Sequence, residues 1–230
     1  MNIRKEYKGS NFVKHGNYAV ETHDNQFFKI YKNLSIYKDA VFRYELAASW
    51  NSDIFKVPQM YESKICNNLG YIELEFIKYN EISLIDSIYF FNDVYQFITQ
   101  IQVADTRLEK YEMQHEYMDL FENNDIILSH GDLQYMNVIG NYVVDWDNLS
   151  YKPLKLEIAT ICFIYLSMVL ARTNEFQSAI LNVKKLFGVN ALQDAYTLGM
   201  KKRLISVLPS KVTSFTQCCD KINEFIIHTN

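Results

Sequence analysis

Apolar and polar positions change their period along the chain. From residue 12 to 31 they come in short strand-like runs: Phe12-Val13-Lys14, Tyr18-Ala19-Val20-Glu21-Thr22 and Gln26-Phe27-Phe28-Lys29-Ile30-Tyr31. The separators His15-Gly16-Asn17 and His23-Asp24-Asn25 are turn chemistry, so a three-stranded antiparallel meander is predicted. Alternation within the third run sets Lys29 on the face opposite Phe28 and Ile30. Ile36 to Trp50 then reads as a helix of good formers with Ser35 as its N-cap. Two further strand runs, Val57 to Ser63 and Gly70 to Ile77, flank a turn at Cys66-Asn67-Asn68-Leu69-Gly70.

Beyond residue 80 the pattern turns helical. Ile82 to Ile101 reads as one long amphipathic helix, and its aromatic stripe (Tyr89, Phe90, Phe91, Tyr95, Phe97) is a core stripe. Ile158 to Ala171 is apolar all round and predicts a buried helix. Helices near Glu175–Phe187, Ala191–Val207 and Ser210–His228 complete the chain. One stretch breaks the helical pattern. Val138-Ile139 and Tyr142-Val143-Val144 are β-rich pieces joined by Gly140-Asn141, which predicts a two-residue hairpin.

Composition narrows the class. With 230 residues, 49% hydrophobic and 22% charged, the chain is globular, long enough for one large domain or two lobes sharing a cleft. Residues 150–230 carry ten Lys/Arg and five Asp/Glu, a net of +5, so with a total of −4 the remainder is −9. The lysines are scattered rather than clustered, which argues against a nucleic-acid partner. From 105 to 125 the sequence is acidic: Asp105, Glu109, Glu112, Glu116, Asp119, Glu122 and Asp125 against Arg107 and Lys110. A solvated helix face explains that run, and a rim attracting a cationic substrate is the functional alternative. Cys66, Cys162, Cys218 and Cys219 form no C-x-x-C or disulfide framework. The amino terminus shows no signal-peptide core, so a cytoplasmic location is expected. The Ile158–Ala171 run is about 14 residues, short of the roughly 20 that span a bilayer, so no membrane span is expected.

The chemistry concentrates in Ser129-His130-Gly131-Asp132-Leu133-Gln134-Tyr135-Met136-Asn137, followed by Val143-Val144-Asp145-Trp146-Asp147. Asp132 and Asn137 stand as D-x-x-x-x-N, the spacing of the kinase catalytic loop, in which the Asp accepts a hydroxyl proton and the Asn holds a metal. Asp145 follows where the magnesium-binding Asp of a kinase is expected, and the hairpin brings both metal-ligand candidates to one end. Magnesium is hard, and one or two carboxylates plus substrate phosphates suffice to hold it.

H-G-D-L-x-x-x-N followed by V-V-D-W-D resembles the aminoglycoside phosphotransferase and choline kinase family, small-molecule kinases of protein-kinase-like fold. Gly131 stands where protein kinases have the Arg of H-R-D, and Trp146 where they have the Phe of D-F-G. The resemblance implies an α+β, two-lobed fold: a small antiparallel β-sheet lobe with one helix over residues 1–78, and a mainly helical lobe over 79–230. It implies ATP and Mg2+ as cofactors, Asp132 as catalytic base, and Asn137 and Asp145 as metal ligands. Lys29 would contact the α- and β-phosphates, held by Glu45 of the Arg43-Tyr44-Glu45-Leu46 segment. Leu74-Glu75-Phe76-Ile77 would form the hinge that holds adenine, placing Glu75 and Ile77 at the nucleotide. Asp147 would lie in a shell around the metal, and His130 would shape the loop by hydrogen bonding. Glu157 stands where the family has the Asp of P-x-x-D-L-A, giving any bond from that carboxylate a longer reach.

Two features depart from the pattern. Only Gly9 and Gly16 are available for the phosphate-covering turn, so no full G-x-G-x-x-G exists. The carboxy-terminal part is short, leaving an acceptor site that is open, or completed by a partner or a second copy. The implied activity is transfer of the γ-phosphoryl of Mg-ATP to a hydroxyl of a small molecule: choline or another amino alcohol, a sugar, or an aminoglycoside. A pseudokinase binding nucleotide or protein is the alternative, favoured by the poor glycine turn. A protein kinase is disfavoured by H-G-D, D-W-D and the lack of an A-P-E-like segment.

Overall fold

A computed structural model describes residues 11–14, 18–23, 26–78, 82–101, 125–205 and 209–229. Gly9 and Gly16, and the acidic run up to Glu122, lie outside these residues. The chain divides into two compact units, one of Met1–Glu81 with Val138–Asp147, the other of Ile82–Asn137 with Asn148–Asn230. The sequence-based boundary at 78/79 lacked the return of 138–147 to the first unit.

The first unit is a five-stranded antiparallel sheet. Its strands are β1 (Asn11–Lys14), β2 (Tyr18–His23), β3 (Gln26–Tyr31), β4 (Met60–Cys66) and β5 (Leu69–Glu75), in the order β1-β2-β3-β5-β4. The meander predicted from alternation is present, and β3 lies centrally, with Lys29 opposite Val20 on one side and Ile72 on the other. Asn67 and Asn68 both take positive φ between β4 and β5, a conformation that asparagine tolerates. Helix α1 (Leu34–Ala48) buries Tyr37, Ala40, Tyr44 and Ala47, the stripe expected of period 3.6. Its N-cap is Asn33 rather than Ser35: the Asn33 side chain accepts from the backbone N–H groups of Ser35 at 2.8 Å and Ile36 at 3.4 Å. Asparagine is as good a cap as serine, and local geometry chose between them.

The Gly140-Asn141 hairpin forms as predicted, with β7 (Val138–Ile139) paired to β8 (Tyr142–Val143). Lys56 pins it to the unit: its N–H donates to the Asn141 carbonyl at 2.8 Å, and its carbonyl accepts from Val143 at 2.9 Å. Trp146 follows as a fully buried anchor, stacked on Phe55 and edge-on to Trp50 at ring separations of 6.0 and 5.8 Å.

The second unit is mainly helical. Helix α2 covers Ser87–Thr99, shorter than the predicted Ile82–Ile101 because residues 84–86 form a turn. It buries Ile88, Phe91, Val94, Tyr95 and Ile98. A two-stranded ladder that the sequence did not predict, β6 (Ile126–Ser129) with β9 (Ser150–Pro153), pairs Ser129 with Ser150. Helix α3 (Leu154–Arg172) is the central helix of this unit, with Ile161, Cys162, Phe163, Leu166 and Val169 all but inaccessible. By length and composition alone this helix is apolar enough to cross a bilayer, yet half of its most apolar window is buried within the protein, as in a core helix. Helix α4 (Phe176–Ile205) is broken at Gly188, where φ is 83°, close to where the sequence predicted two helices. Helix α5 (Pro209–Thr229) completes the unit. All four cysteines are free thiols.

Gly199 marks where helices approach most closely. A Cβ there would sit 2.3 Å from Cε2 of Phe163 and 2.7 Å from Sγ of Cys219. Gly199→Ala is expected to destabilise the protein by about 1–3 kcal/mol through overpacking, against the general helix preference for alanine. Urea unfolding of the variant measures the shift.

Candidate functional site

Each unit assembles part of the predicted site. In the first, β3 carries Lys29 into a buried cluster. Its ammonium pairs with Asp145, lies 3.2 Å from Oδ1 of Asp147, and sits 5.4 Å from the centroid of the Tyr44 ring. The Tyr31 hydroxyl donates to both carboxylate oxygens of Asp147, at 3.0 and 2.9 Å. Nη1 of Arg43 donates to the Asp147 backbone carbonyl at 2.5 Å. Asp145 has φ of 64°, a left-handed conformation that aspartate adopts at modest cost. Trp146 secures the turn by donating its indole N–H to the Val143 carbonyl at 2.8 Å.

The electrostatics follow from burial. Burial alone pulls the Lys29 ammonium down, but Tyr44, Asp147, Tyr31 and Asp145 more than offset it and hold it well above the ordinary lysine value. Burial raises the Asp147 carboxyl above its usual range despite Lys29 beside it. Burial also raises the Tyr31 and Tyr44 phenols, so both stay neutral at any working pH.

The expected Lys29–Glu45 pair does not form. Glu45 is exposed and makes no ion pair among the described residues, whereas the preceding Tyr44 faces inward. Successive helix residues differ by about 100°, so one position moves a side chain off the buried face. Asp147, expected in a shell around the metal, is an ion partner of Lys29.

Glu75 and Ile77, the hinge candidates, line a cavity of about 240 Å³ with Phe76, Lys78, Ile139, Gly140, Asn141 and Tyr142. The Glu75 carboxylate is already committed, accepting from the Tyr142 hydroxyl at 3.2 Å and the Gln59 N–H at 3.2 Å. The segment 76–78 has left the sheet, so its backbone is not consumed by strand pairing.

In the second unit the H-G-D loop joins the end of β6 to the short 3-10 turn Tyr135–Asn137. Gly131 has φ of +86°, and a Cβ there would fall 2.2 Å from the backbone oxygen of Asn148, so only glycine fits. Its N–H donates to Oγ of Ser129 at 2.9 Å, and the Asp132 N–H donates to Nδ1 of the buried His130 at 3.3 Å. Both Asp132 carboxylate oxygens are oriented: Oδ1 accepts from Nε2 of Gln134 at 2.8 Å, Oδ2 from Nδ2 of Asn137 at 2.9 Å. Nδ2 of Asn137 also reaches the Asp132 carbonyl at 2.8 Å. Both bonds thus run from the Asn137 amide nitrogen to the residue that opens the D-x-x-x-x-N spacing.

Asn137 in the second unit carries an amide oxygen and Asp145 in the first a carboxylate oxygen, each a donor type that a hard ion takes.

Lys152 was not singled out in the sequence. From β9 it donates to the Gly131 carbonyl at 2.8 Å while almost fully buried. Burial lowers its ammonium below the ordinary value, opposed by attraction to Glu157 and Asp132. Glu157, buried in the first turn of α3, lines a small cavity with Ser129, His130 and Leu133. The signal for Tyr31 was present in the sequence, since it lies two positions from Lys29 on one strand and shares its face. Lys152 and Gln134 carried no such signal.

Sequence comparison gives no match to any family model or curated protein. Comparison of structures does. The fold matches aminoglycoside phosphotransferase APH(3'')-Id from Streptomyces rimosus in complex with ADP and streptomycin, at TM-score 0.60 and 10% identity, covering 96% of this chain and 95% of that one. The fold is that of the aminoglycoside phosphotransferases. A thermostable mutant of aminoglycoside phosphotransferase APH(4)-Ia, in ternary complex with ADP and hygromycin B, matches at TM-score 0.57 and 11% identity, over 97% of this chain and 96% of that one. An amicoumacin kinase, hAmiN, in complex with AMP-PNP and Ca2+, matches at TM-score 0.55 and 12% identity, over 96% and 92%. The α+β, protein-kinase-like architecture expected from the motifs is thus present.

The depressed Lys152 gives a pH prediction. Its folded-state value lies below the unfolded value of 10.5, so its contribution to stability is present above 10.5 and lost as pH falls through the folded value. Lys152→Met removes this slope. Urea midpoints measured from pH 8 upward are expected to rise in the parent relative to Lys152→Met as alkalinity increases.

Proposed function

We propose that this protein is an ATP-dependent phosphotransferase that moves the γ-phosphoryl of Mg-ATP to a hydroxyl of a small molecule. The carrying observation is the loop of the second unit. There Asp132 is held on both oxygens by amide donors, Gln134 on one and Asn137 on the other. A loop that served only structure would not need a carboxylate oriented at both atoms.

Asp132 orients the acceptor hydroxyl and takes its proton as the oxygen bonds to the γ-phosphorus and the bond to the ADP oxygen breaks. Lys29 steadies the α- and β-phosphates, and the cavity beside Glu75 to Lys78 takes the adenine. Asn137 and Asp145 would hold magnesium, which neutralises charge on the β- and γ-oxygens. Catalysis is then mostly positioning and charge neutralisation. The structural neighbours in complex with ADP and streptomycin or hygromycin B support a small hydroxylated acceptor, with amino alcohols and sugars as the other classes to screen.

Thermal unfolding with and without Mg-ATP tests this reading. Ligand at ~100 times its dissociation constant should add about 2.7 kcal/mol to stability. The increment is expected in the parent, weakened or lost in Asp145→Asn and largely kept in Asp132→Asn, with phosphoryl transfer from labelled ATP abolished in the latter. No shift with millimolar ATP or GTP would instead identify a pseudokinase.

A further inference from the structure

A buried ammonium needs its counter-charge built into the fold, because an unpaired one costs several kcal/mol. In the protein-kinase pattern a helix glutamate supplies it. Here that residue, Glu45, faces solvent, and Tyr44 occupies the inward position with no full charge to offer.

Two carboxylates reach Lys29 instead, those of Asp145 and Asp147. Asp147 is pinned at three points: Tyr31 on both carboxylate oxygens, Lys29 at 3.2 Å, and Arg43 on its backbone carbonyl. Its neighbour Trp146 is wholly buried, so the turn that carries it is fixed. The Asp145 side chain is 24% exposed against 14% for Asp147.

We propose that Asp147, clamped by Tyr31 and Arg43, is the positioning residue for Lys29 in place of a helix glutamate, and that Asp145, the more exposed acid, is the one a divalent cation engages. The two acids of D-W-D thus divide the work. Were Asp145 the sole partner, its engagement by a cation would leave Lys29 buried without an anion. With Asp147 fixed, Lys29 keeps its geometry in both states. The role of Asp145 rests on the proposed phosphotransferase function; the Lys29–Asp147 coupling does not.

Two measurements test the division. The first needs no ligand: a double-mutant cycle of Lys29→Met and Asp147→Asn in urea unfolding. Non-additivity of about tenfold in the unfolding constant is expected, with none for Lys29→Met combined with Glu45→Gln. Tyr31→Phe, which deletes one oxygen, replaces Asp147→Asn in the cycle if that variant does not fold. The second is ADP binding by calorimetry as magnesium is raised. Asp145→Asn is expected to raise the half-saturating magnesium about tenfold or more, and Asp147→Asn to leave it near the parent value while weakening turnover by roughly 10²-fold through a misplaced Lys29. Additive behaviour of Lys29 and Asp147, coupling of Glu45 to Lys29, or an equal magnesium shift in both aspartate variants would each overturn the proposal. Absence of ADP binding by the parent would overturn the phosphotransferase reading and the cation role of Asp145, while the ligand-free cycle still decides the Lys29–Asp147 coupling.

Discussion

Keeping one lysine charged in a dry interior is the constraint on which the first unit depends. The Lys29 side chain is 3% exposed, and burial works against its charge before anything else does. The fold answers from three directions. The central strand β3 places Tyr31 on the same face as Lys29; α1 turns Tyr44 and Arg43 toward the cluster; and the D-W-D turn brings two carboxylates. Tyr31 and Tyr44 contribute without ionising, since burial holds both phenols far above their ordinary values. The hydrophobic anchor of this polar cluster is Trp146. It separates the two aspartates in sequence, and its packing on Trp50 and Phe55 fixes the turn that presents them.

The second unit solves a different problem, that of shaping a backbone rather than burying a charge. Gly131 must adopt positive φ against the Asn148 carbonyl, and the strained loop is stitched on each side by Ser129, His130 and Lys152. The β6–β9 ladder holds both ends of this arrangement through the Ser129–Ser150 pairing. Asp132 therefore meets solvent with its carboxylate orientation already decided, a form of preorganisation whose cost is met in folding rather than at the moment of reaction.

Local chemistry was legible in the sequence; long-range pairing was not. Alternation gave the meander, and Gly140-Asn141 gave the β7–β8 hairpin, because both signals lie within a few residues. D-x-x-x-x-N marked the loop for the same reason: Asn137 reaches back five residues to Asp132. The Lys29 partner failed because it is decided by helix phase and by a contact 116 residues away. Glu45 was chosen by residue type, whereas the buried stripe Tyr37, Ala40, Tyr44, Ala47 had already assigned the inward position to Tyr44. The β6–β9 ladder was missed because each strand is four residues long and neither alternates clearly. The α2 start was overrun by five residues, since apolar periodicity continued through a turn that local propensity does not mark.

The charges of the first unit also bear on why metal and nucleotide would arrive together. With all three groups ionised, Lys29, Asp145 and Asp147 sum to −1, and a polyphosphate approaching that cluster is repelled on balance. A divalent cation bound at Asp145, as proposed, would turn the same cluster to +1, and attraction of phosphates would then be conditional on the ion. Because Asp147 remains locked to Tyr31, this reversal does not require Lys29 to move. The conditional attraction is a property of having two acids beside one lysine. A single helix glutamate reaching Lys29 from α1, with Asp145 alone in the turn, would give the same charge sum; fixing the second acid in the turn itself makes the site independent of where the helix lies.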